Sequence, residues 1–128
     1  MSAMSDYLEL KVLDHVCSVT AYTMPSNVYV GLSTGSFGDD NSGTEISGNN
    51  YARKEATFSA ASSGAITNSG TVEFNAATGS WGSVSHFGIF DASTSGNLLI
   101  HGAFAAAKTI TTGDILRINA GDLDITAA

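Results

Sequence analysis

The stretch that decides the fold is GSVSHFGIFDASTSGNLLIHGAFA, residues 82–105, which contains the two most strand-like segments of the chain. Residues 82–91 and residues 97–105 are rich in the aliphatic, β-branched and aromatic side chains that strands favour. The STSG between them, residues 93–96, has the composition of a hairpin connection. We therefore predict two antiparallel strands joined by a hairpin.

Toward the N-terminus the hydrophobic period is helical before Pro25, a residue that forbids a helix interior, and alternating after it. Residues 5–17 are predicted to form the only helix, with Ser5 as its N-cap and with Asp6 and Glu9 at its positive end. The apolar stripe is wide for so short a helix, so either the helix packs hard against the sheets or part of it serves an interface. The stripe consists of Tyr7, Leu8, Leu10, Val12, Leu13, Val16 and Cys17.

After Pro25, Val28, Val30 and Leu32 share one face of a strand, and a Gly/Asn/Asp/Ser-rich loop follows over residues 33–50. Roughly eight short strands after one helix predict an all-β, single-domain protein over residues 1–128, a β-sandwich or jelly-roll-like fold. A parallel α/β sheet is excluded because no helical pattern separates successive strands. The helix is expected at about 5–17 and the strands within about 27–126, the remaining strands being 51–59, 65–67, 71–74, 115–119 and 123–126, with Ala120-Gly121 as the last turn.

Charge and composition limit the classes of partner. Only 13% of the residues are charged, about half the usual share, and such a weakly hydrated surface favours contact with other proteins. The formal net charge is −7 and the basic residues are scattered, which argues against nucleic acid and against an anionic membrane surface as partners. The five basic residues are Lys11, Arg53, Lys54, Lys108 and Arg117.

Neither a targeting signal nor a cysteine site is found that would narrow the class of protein further. No apolar run reaches the length of a membrane span, and the first residues lack the features of a secretory signal. Cys17 is the only cysteine, so an internal disulfide and a zinc cluster are both excluded.

The titratable residues do not form a recognisable catalytic motif. His86 and His101 lie on the two most strand-like segments and could be neighbours, but a metal site would need a third ligand such as His15, Asp91 or Asp114. No nucleophile elbow and no phosphate-binding loop is present. We therefore predict no catalytic, cofactor-binding or metal-binding residues and no cofactor, and interpret the histidines as polar residues on a solvent or interface face.

The loop DDNSGTE allows a second metal hypothesis. Asp39, Asn41 and Glu45 are oxygen ligands at odd spacing and Gly43 permits a sharp turn, as at the start of a calcium loop. The full calcium-loop pattern is not met, and a solvated turn explains the same composition.

The aromatic residues leave two interpretations open. Tyr22, Tyr29, Tyr51 and Trp81 are candidates for a sugar-stacking face, whereas core closure by Trp81, with its N–H bonded to a backbone carbonyl, is the more general behaviour. Arg53, which alternates with Tyr51, is either half of a structural ion pair or an interface anchor.

Five strings, in order, resemble a family of small tailed-bacteriophage virion structural proteins that are usually labelled phage tail fibre proteins. The most specific are GTE-x-SG-x-x-YAR, residues 43–53, and W-G-x-V-x-H-x-GIFDA, residues 81–92. The chain departs from the family at Cys17-Ser18-Val19, where relatives often have a glycine-rich turn. The strings are SDYLELKVLDHV, VYVGLST, SGTEISGNNYAR, SWGSVSHFGIFDASTSGNLLIHG and AGDLDI.

The resemblance implies a non-enzymatic structural protein of the virion, assembled in the host cytoplasm, and it supplies no catalytic residues. Because a fibre shaft needs a longer or repetitive chain, we place a capsid decoration (cement) protein that stabilises the head ahead of a tail or tail-fibre component. A carbohydrate-binding module for host adsorption is a further alternative, and a hydrolase with an unrecognised site ranks last. The expected partner is the major capsid protein or a tail protein of the same phage, with a homotrimer favoured because threefold capsid sites are common anchoring points.

Overall fold

The computed structural model describes residues 2–127. Within them the chain forms nine strands and one helix, so most regular structure is β. In chain order the elements are β1 (Ser2–Met4), α1 (Asp6–Val16), β2 (Val28–Ser33), β3 (Lys54–Ala56), β4 (Ala65–Thr67), β5 (Val72–Glu73), β6 (Gly82–Phe90), β7 (Leu98–Ile110), β8 (Arg117–Ile118) and β9 (Asp124–Thr126).

The predicted hairpin is confirmed as strands β6 and β7, which lie at the centre of a five-stranded sheet. The sheet has the order β1-β7-β6-β2-β3 and every pairing in it is antiparallel. Asp91 N–H donates to the Asn97 carbonyl at 3.2 Å and so closes the hairpin turn. Gly31 of β2 lies directly opposite Gly88 of β6. Because neither residue has a side chain, neighbouring groups can approach the backbone closely on one face of the sheet at that point.

Two small sheets, β4 with β9 and β5 with β8, complete the fold. Their buried side chains, among them Val72, Ile118 and Ile125, form one hydrophobic cluster with Val30 and Leu32 of the main sheet. The alternation predicted for β2 is confirmed, since Val30 and Leu32 face this core. The all-β fold with a single N-terminal helix is confirmed; the jelly-roll arrangement and the domain limits 1–128 stay predictions.

Several strand limits differ from the prediction for local reasons. Residues 51–59 contribute only β3, because the Tyr51 hydroxyl accepts the Leu32 N–H at 2.8 Å in place of a backbone carbonyl and so ends the β2–β3 ladder. Strand β7 runs to Ile110, five residues beyond the predicted limit. Strand β1 was not predicted; its three residues pair with β7, with Ser2 opposite Gly102.

Helix α1 is confirmed with the predicted N-cap, and this N-cap residue also holds the helix to the sheet. The Ser5 side chain accepts from the Leu8 N–H at 3.2 Å, and Ser5 N–H donates to the Leu99 carbonyl of β7 at 2.8 Å. The helix ends at Val16 with Cys17 as its C-cap, and Ser18 follows with a φ of 65°. None of the eleven residues described for this helix is buried.

Among residues 2–127, no helix has the length and hydrophobicity needed to cross a bilayer.

Candidate functional site

The two most specific sequence stretches meet in a polar cluster built on Arg53, which we call the arginine clamp. The Arg53 side chain is 8% exposed and donates from Nε to Glu45 Oε2 at 2.9 Å and from Nη2 to Glu45 Oε1 at 2.7 Å. The Tyr51 hydroxyl donates to the same Glu45 Oε2 at 2.6 Å. Two-point contact and a shared third donor fix the Glu45 carboxylate in one orientation.

The arginine clamp also holds the turn of the β6–β7 hairpin. Arg53 Nη1 donates to the Ala92 carbonyl at 2.9 Å and to the Ser95 carbonyl at 2.7 Å, and its guanidinium carbon lies 3.6 Å from the centre of the Phe90 ring. With these contacts Arg53 is half of a structural ion pair, formed with a loop residue rather than with a neighbouring strand. The structure thus supports the ion-pair interpretation of Arg53, and the interface-anchor interpretation stays a prediction.

The aromatic platform expected of a carbohydrate-binding surface is not formed by Tyr51 and Trp81. Trp81 is 5% exposed and donates its indole N–H to the Asn49 carbonyl at 3.0 Å, which confirms core closure. Tyr51 packs edge-on against it with ring centres 5.5 Å apart and lies against the main hydrophobic cluster. Tyr22 and Tyr29 are half-buried.

Tyr51 should keep its phenolic proton well above the pH at which an ordinary tyrosine ionises. Burial, followed by its hydrogen bond to Glu45, raises the Tyr51 pKa above its usual value of 10. A folded-state pKa above the unfolded-state value gives stability that is complete below pH 10 and is lost as the pH rises toward the folded-state pKa.

Ultraviolet absorbance during alkaline titration tests this behaviour. We expect one tyrosine to ionise only together with loss of the folded far-ultraviolet circular dichroism signal, and we expect Tyr51→Phe to remove that late component. A full phenolate count reached while the protein is still folded would contradict the burial of Tyr51.

The three histidines do not assemble into a catalytic or metal site. His86 Nδ1 pairs with its neighbour Ser85 at 2.7 Å, whereas His101 Nε2 pairs with Asp39 at 2.7 Å. His86 lies opposite Ala103 and His101 lies opposite Gly88, so the two histidines are diagonal rather than direct neighbours. No group of three or more metal-binding side chains converges among residues 2–127. His15 is on helix α1, where its Nδ1 accepts the Tyr22 N–H.

The carboxylates of the proposed calcium loop are bonded to different partners. Asp39 is bound to His101 and Glu45 to Arg53, so these two carboxylates do not share a cation. The neighbouring Asp40 accepts hydrogen bonds from Ser42, and these hold the Asp40 pKa below its usual value. The solvated-turn interpretation accounts for the loop DDNSGTE, and the calcium hypothesis is wrong in this geometry.

The side of α1 that faces away from the sheets carries an exposed apolar stripe. Leu10, Leu13 and Val16 are 65%, 60% and 70% exposed and recur every three residues, so they lie along one side of the helix. We call these three side chains the helix stripe; Val19 and Met24, in the segment after the helix, are also exposed. Of the two alternatives left open by the width of the apolar pattern, the structure supports the one in which part of the helix is available to an interface.

A second apolar surface lies between β7 and β8. In the β6–β7 register Val84 faces Lys108 and His86 faces Ala103, so residues 104–107 form a bulge opposite one residue of β6. Between this bulge and β8 is a groove of about 610 Å³, which we call the β7–β8 groove. Residues that line it include Phe104, Ala106, Lys108, Ile110, Ile115 and Arg117.

Sequence reasoning did not find this groove. The run Ala105–Ala107 has neither a strand period nor a helical period, which is the one local signal of a bulge.

With the fold and these two apolar surfaces described, the chain can be compared with known families. The chain belongs to a phage tail fibre family, since a family model matches residues 3–126. That family is described as podophage GP4 fiber I protein gp80. No curated protein matches the chain. The predicted phage family is thereby confirmed, and with it the location of the protein in the virion.

Proposed function

We propose that this protein is a non-enzymatic structural component of a podophage tail fibre, assembled in the host cytoplasm and held to a tail protein of the same phage by protein–protein contacts. The single observation that carries the proposal is the match of residues 3–126 to a fibre family. It favours the tail over the capsid decoration role that the length of the chain first suggested.

The physical character of the surface supports a structural role. Few residues are charged, and two apolar surfaces, the helix stripe and the β7–β8 groove, are accessible in the single chain. The best-bonded polar residues hold the fold together, because the arginine clamp joins the loop after β2 to the β6–β7 turn. His86 is paired with Ser85 and His101 with Asp39, so neither of these histidines lies between a serine and an acid as it would in a Ser-His-acid triad.

We further propose that the protein works as a homo-oligomer, with a trimer favoured. Oligomers of one chain are generally closed and symmetric, and a small domain that exposes large aliphatic side chains gains stability by covering them. Neither nucleic acid nor a membrane is an expected partner of a chain with net charge −7.

Quantitative mass spectrometry of purified particles, combined with an electron-microscopy map, tests the location. We expect a few dozen copies or fewer per particle and density for this fold at the tail. Hundreds of copies on the head would instead establish the capsid decoration role, and absence from purified particles would overturn both.

A further inference from the structure

The exposed large apolar side chains are concentrated in one segment near the N-terminus. Among residues 2–127 six large hydrophobic residues are exposed, and five of them lie within residues 10–24. The sixth is Ile115. An exposed apolar run of this kind is typical of a surface that another protein covers. The five are Leu10, Leu13, Val16, Val19 and Met24.

The first sixteen residues of the chain are bonded to the rest of the protein only at their start. We call residues 2–16, which contain β1 and α1, the N-terminal arm. Strand β1 pairs with β7, and Ser5 N–H donates to the Leu99 carbonyl of that strand at 2.8 Å. Asp6 N–H donates to the Asp39 carbonyl at 2.8 Å. The arm is therefore attached through a short strand and the first turn of its helix.

Residues 17–27, which we call the connector, join the arm to β2. None of these eleven residues is buried, and none belongs to a helix or a strand. No hydrogen bond joins residues 7–27 to residues 28–127. Pro25 favours an extended conformation for the residue before it. Eleven extended residues span on the order of 35 Å, about the diameter of a small domain, so the connector is long enough to carry the arm to a neighbouring copy.

We propose that the N-terminal arm is exchanged between copies, so that β1 of one copy pairs with β7 of the next. The inference rests on the homo-oligomer of the proposed function. The β1–β7 register identifies the occupant, because the edge of β7 that runs from Ile100 to Gly102 binds an arm that every copy carries. Exchange is a low-cost route to an oligomer, since each copy keeps the arm contacts of the single chain.

Exchange also adds a contact that the single chain lacks. The connectors pass from one copy to the next, and Val19 and Met24, which are 71% and 82% exposed, lie on them. Where two copies meet, these side chains and Val16 at the end of the helix stripe are removed from water, which stabilises the oligomer. When every arm passes in the same direction the assembly closes into a ring, and three copies give the trimer favoured above.

A disulfide between β1 and β7 distinguishes exchange from attachment within one chain. Because Ser5 donates to Leu99, the next pair, Met4 and Ile100, is not hydrogen-bonded. The Cα atoms of such pairs are about 4.5 Å apart, which permits a disulfide. Met4→Cys and Ile100→Cys are introduced together in the full chain with Cys17→Ser, since Cys17 is an exposed free thiol. Light scattering measures the native mass, and non-reducing denaturing electrophoresis after oxidation measures the mass that is joined covalently.

The matched control is Thr67→Cys with Asp124→Cys, a pair in the β4–β9 ladder and outside the arm. Its disulfide should join two strands of the same chain whether or not arms are exchanged. Ala3→Cys with His101→Cys, the adjacent pair of the β1–β7 ladder, replaces the first variant if that variant does not fold. A bismaleimide replaces oxidation if the disulfide does not form.

We expect the unaltered chain and the β1–β7 variant to have the same oligomeric mass. After oxidation the β1–β7 variant should migrate as covalently joined chains, up to three, whereas the control should migrate as single chains.

Three results would overturn the exchange. Covalent single chains from a protein that is oligomeric before oxidation would place each arm on its own chain and would leave the homo-oligomer standing. A monomeric unaltered chain would remove both the exchange and the homo-oligomer. Thiols that neither oxidation nor the bismaleimide joins would show that β1 does not lie on β7. The tail location is decided by the copy number and the map of the particle, so its failure is seen in separate measurements.

Discussion

Replacing Arg53 by methionine should lower the free energy of unfolding by about 3 kcal/mol, the lower end of the range for removing one partner of a buried ion pair. The lower end applies because Glu45 keeps 24% of its side-chain surface exposed. The substitution leaves the Glu45 carboxylate without its cation and takes the donor away from the Ala92 and Ser95 carbonyls. Methionine still covers the Phe90 ring, so the loss comes from the polar contacts rather than from a cavity.

Urea unfolding followed by circular dichroism measures this change in free energy. In thermal unfolding the melting temperature should fall by an amount on the order of 10 °C. The matched control is Arg117→Met, which breaks the exposed ion pair between Arg117 and Glu73 and should cost less than about 1 kcal/mol. Adding Glu45→Gln to Arg53→Met removes the uncompensated carboxylate and should restore part of the stability. Equal costs for Arg53→Met and Arg117→Met would contradict a stabilising role for the arginine clamp.

The parts of the fold that could be predicted are those in which a local pattern of side chains in the sequence determines the structure. Strand β2 and the β6–β7 hairpin were predictable because their strand-forming side chains occur in runs, and in β2 and β6 four consecutive residues are buried. The helix limits were also predictable, since Ser5 supplies a local cap. Strand β1 was not, because its three residues are stabilised by pairing with β7, far along the chain, and not by any pattern of their own.

The candidate surfaces were predictable only in part, for the same reason. The apolar stripe, too wide for so short a helix, left two alternatives open: that α1 packs hard against the sheets, or that part of it serves an interface. The β7–β8 groove forms between two segments whose relative position depends on the whole fold. Its alanine-rich bulge has no hydrophobic period from which a prediction could be made. The choice between an ion pair and an interface anchor for Arg53 likewise depended on the path of the 33–50 loop, which brings Glu45 to it.

The path of that loop depends on a close approach at Gly43, and Gly43→Ala should destabilise the protein by about 3 kcal/mol, the upper part of the usual range for overpacking. A Cβ atom at this position would lie 2.2 Å from the Ser36 carbonyl oxygen and 2.6 Å from Phe37 Cα. Both contacts are with backbone, so no side-chain rotation relieves them. The Gly43 N–H also donates to the Phe37 carbonyl at 2.8 Å, which holds the two segments together.

Moving the backbone to admit the methyl group would disturb two packed features at once. Phe37 is 1% exposed and packs edge-on against Phe90, and Glu45 follows Gly43 by two residues in the arginine clamp. Chemical denaturation of Gly43→Ala and of Gly35→Ala compares the same change within one loop, and Gly35, with no atom within 4 Å of its added Cβ, should shift stability by less than about 1 kcal/mol. Because Gly43 positions Glu45, the double variant Gly43→Ala with Arg53→Met should lose less than the sum of the two single losses. Matching effects at Gly43 and Gly35, or strict additivity with Arg53→Met, would show that this tight turn does not position the clamp.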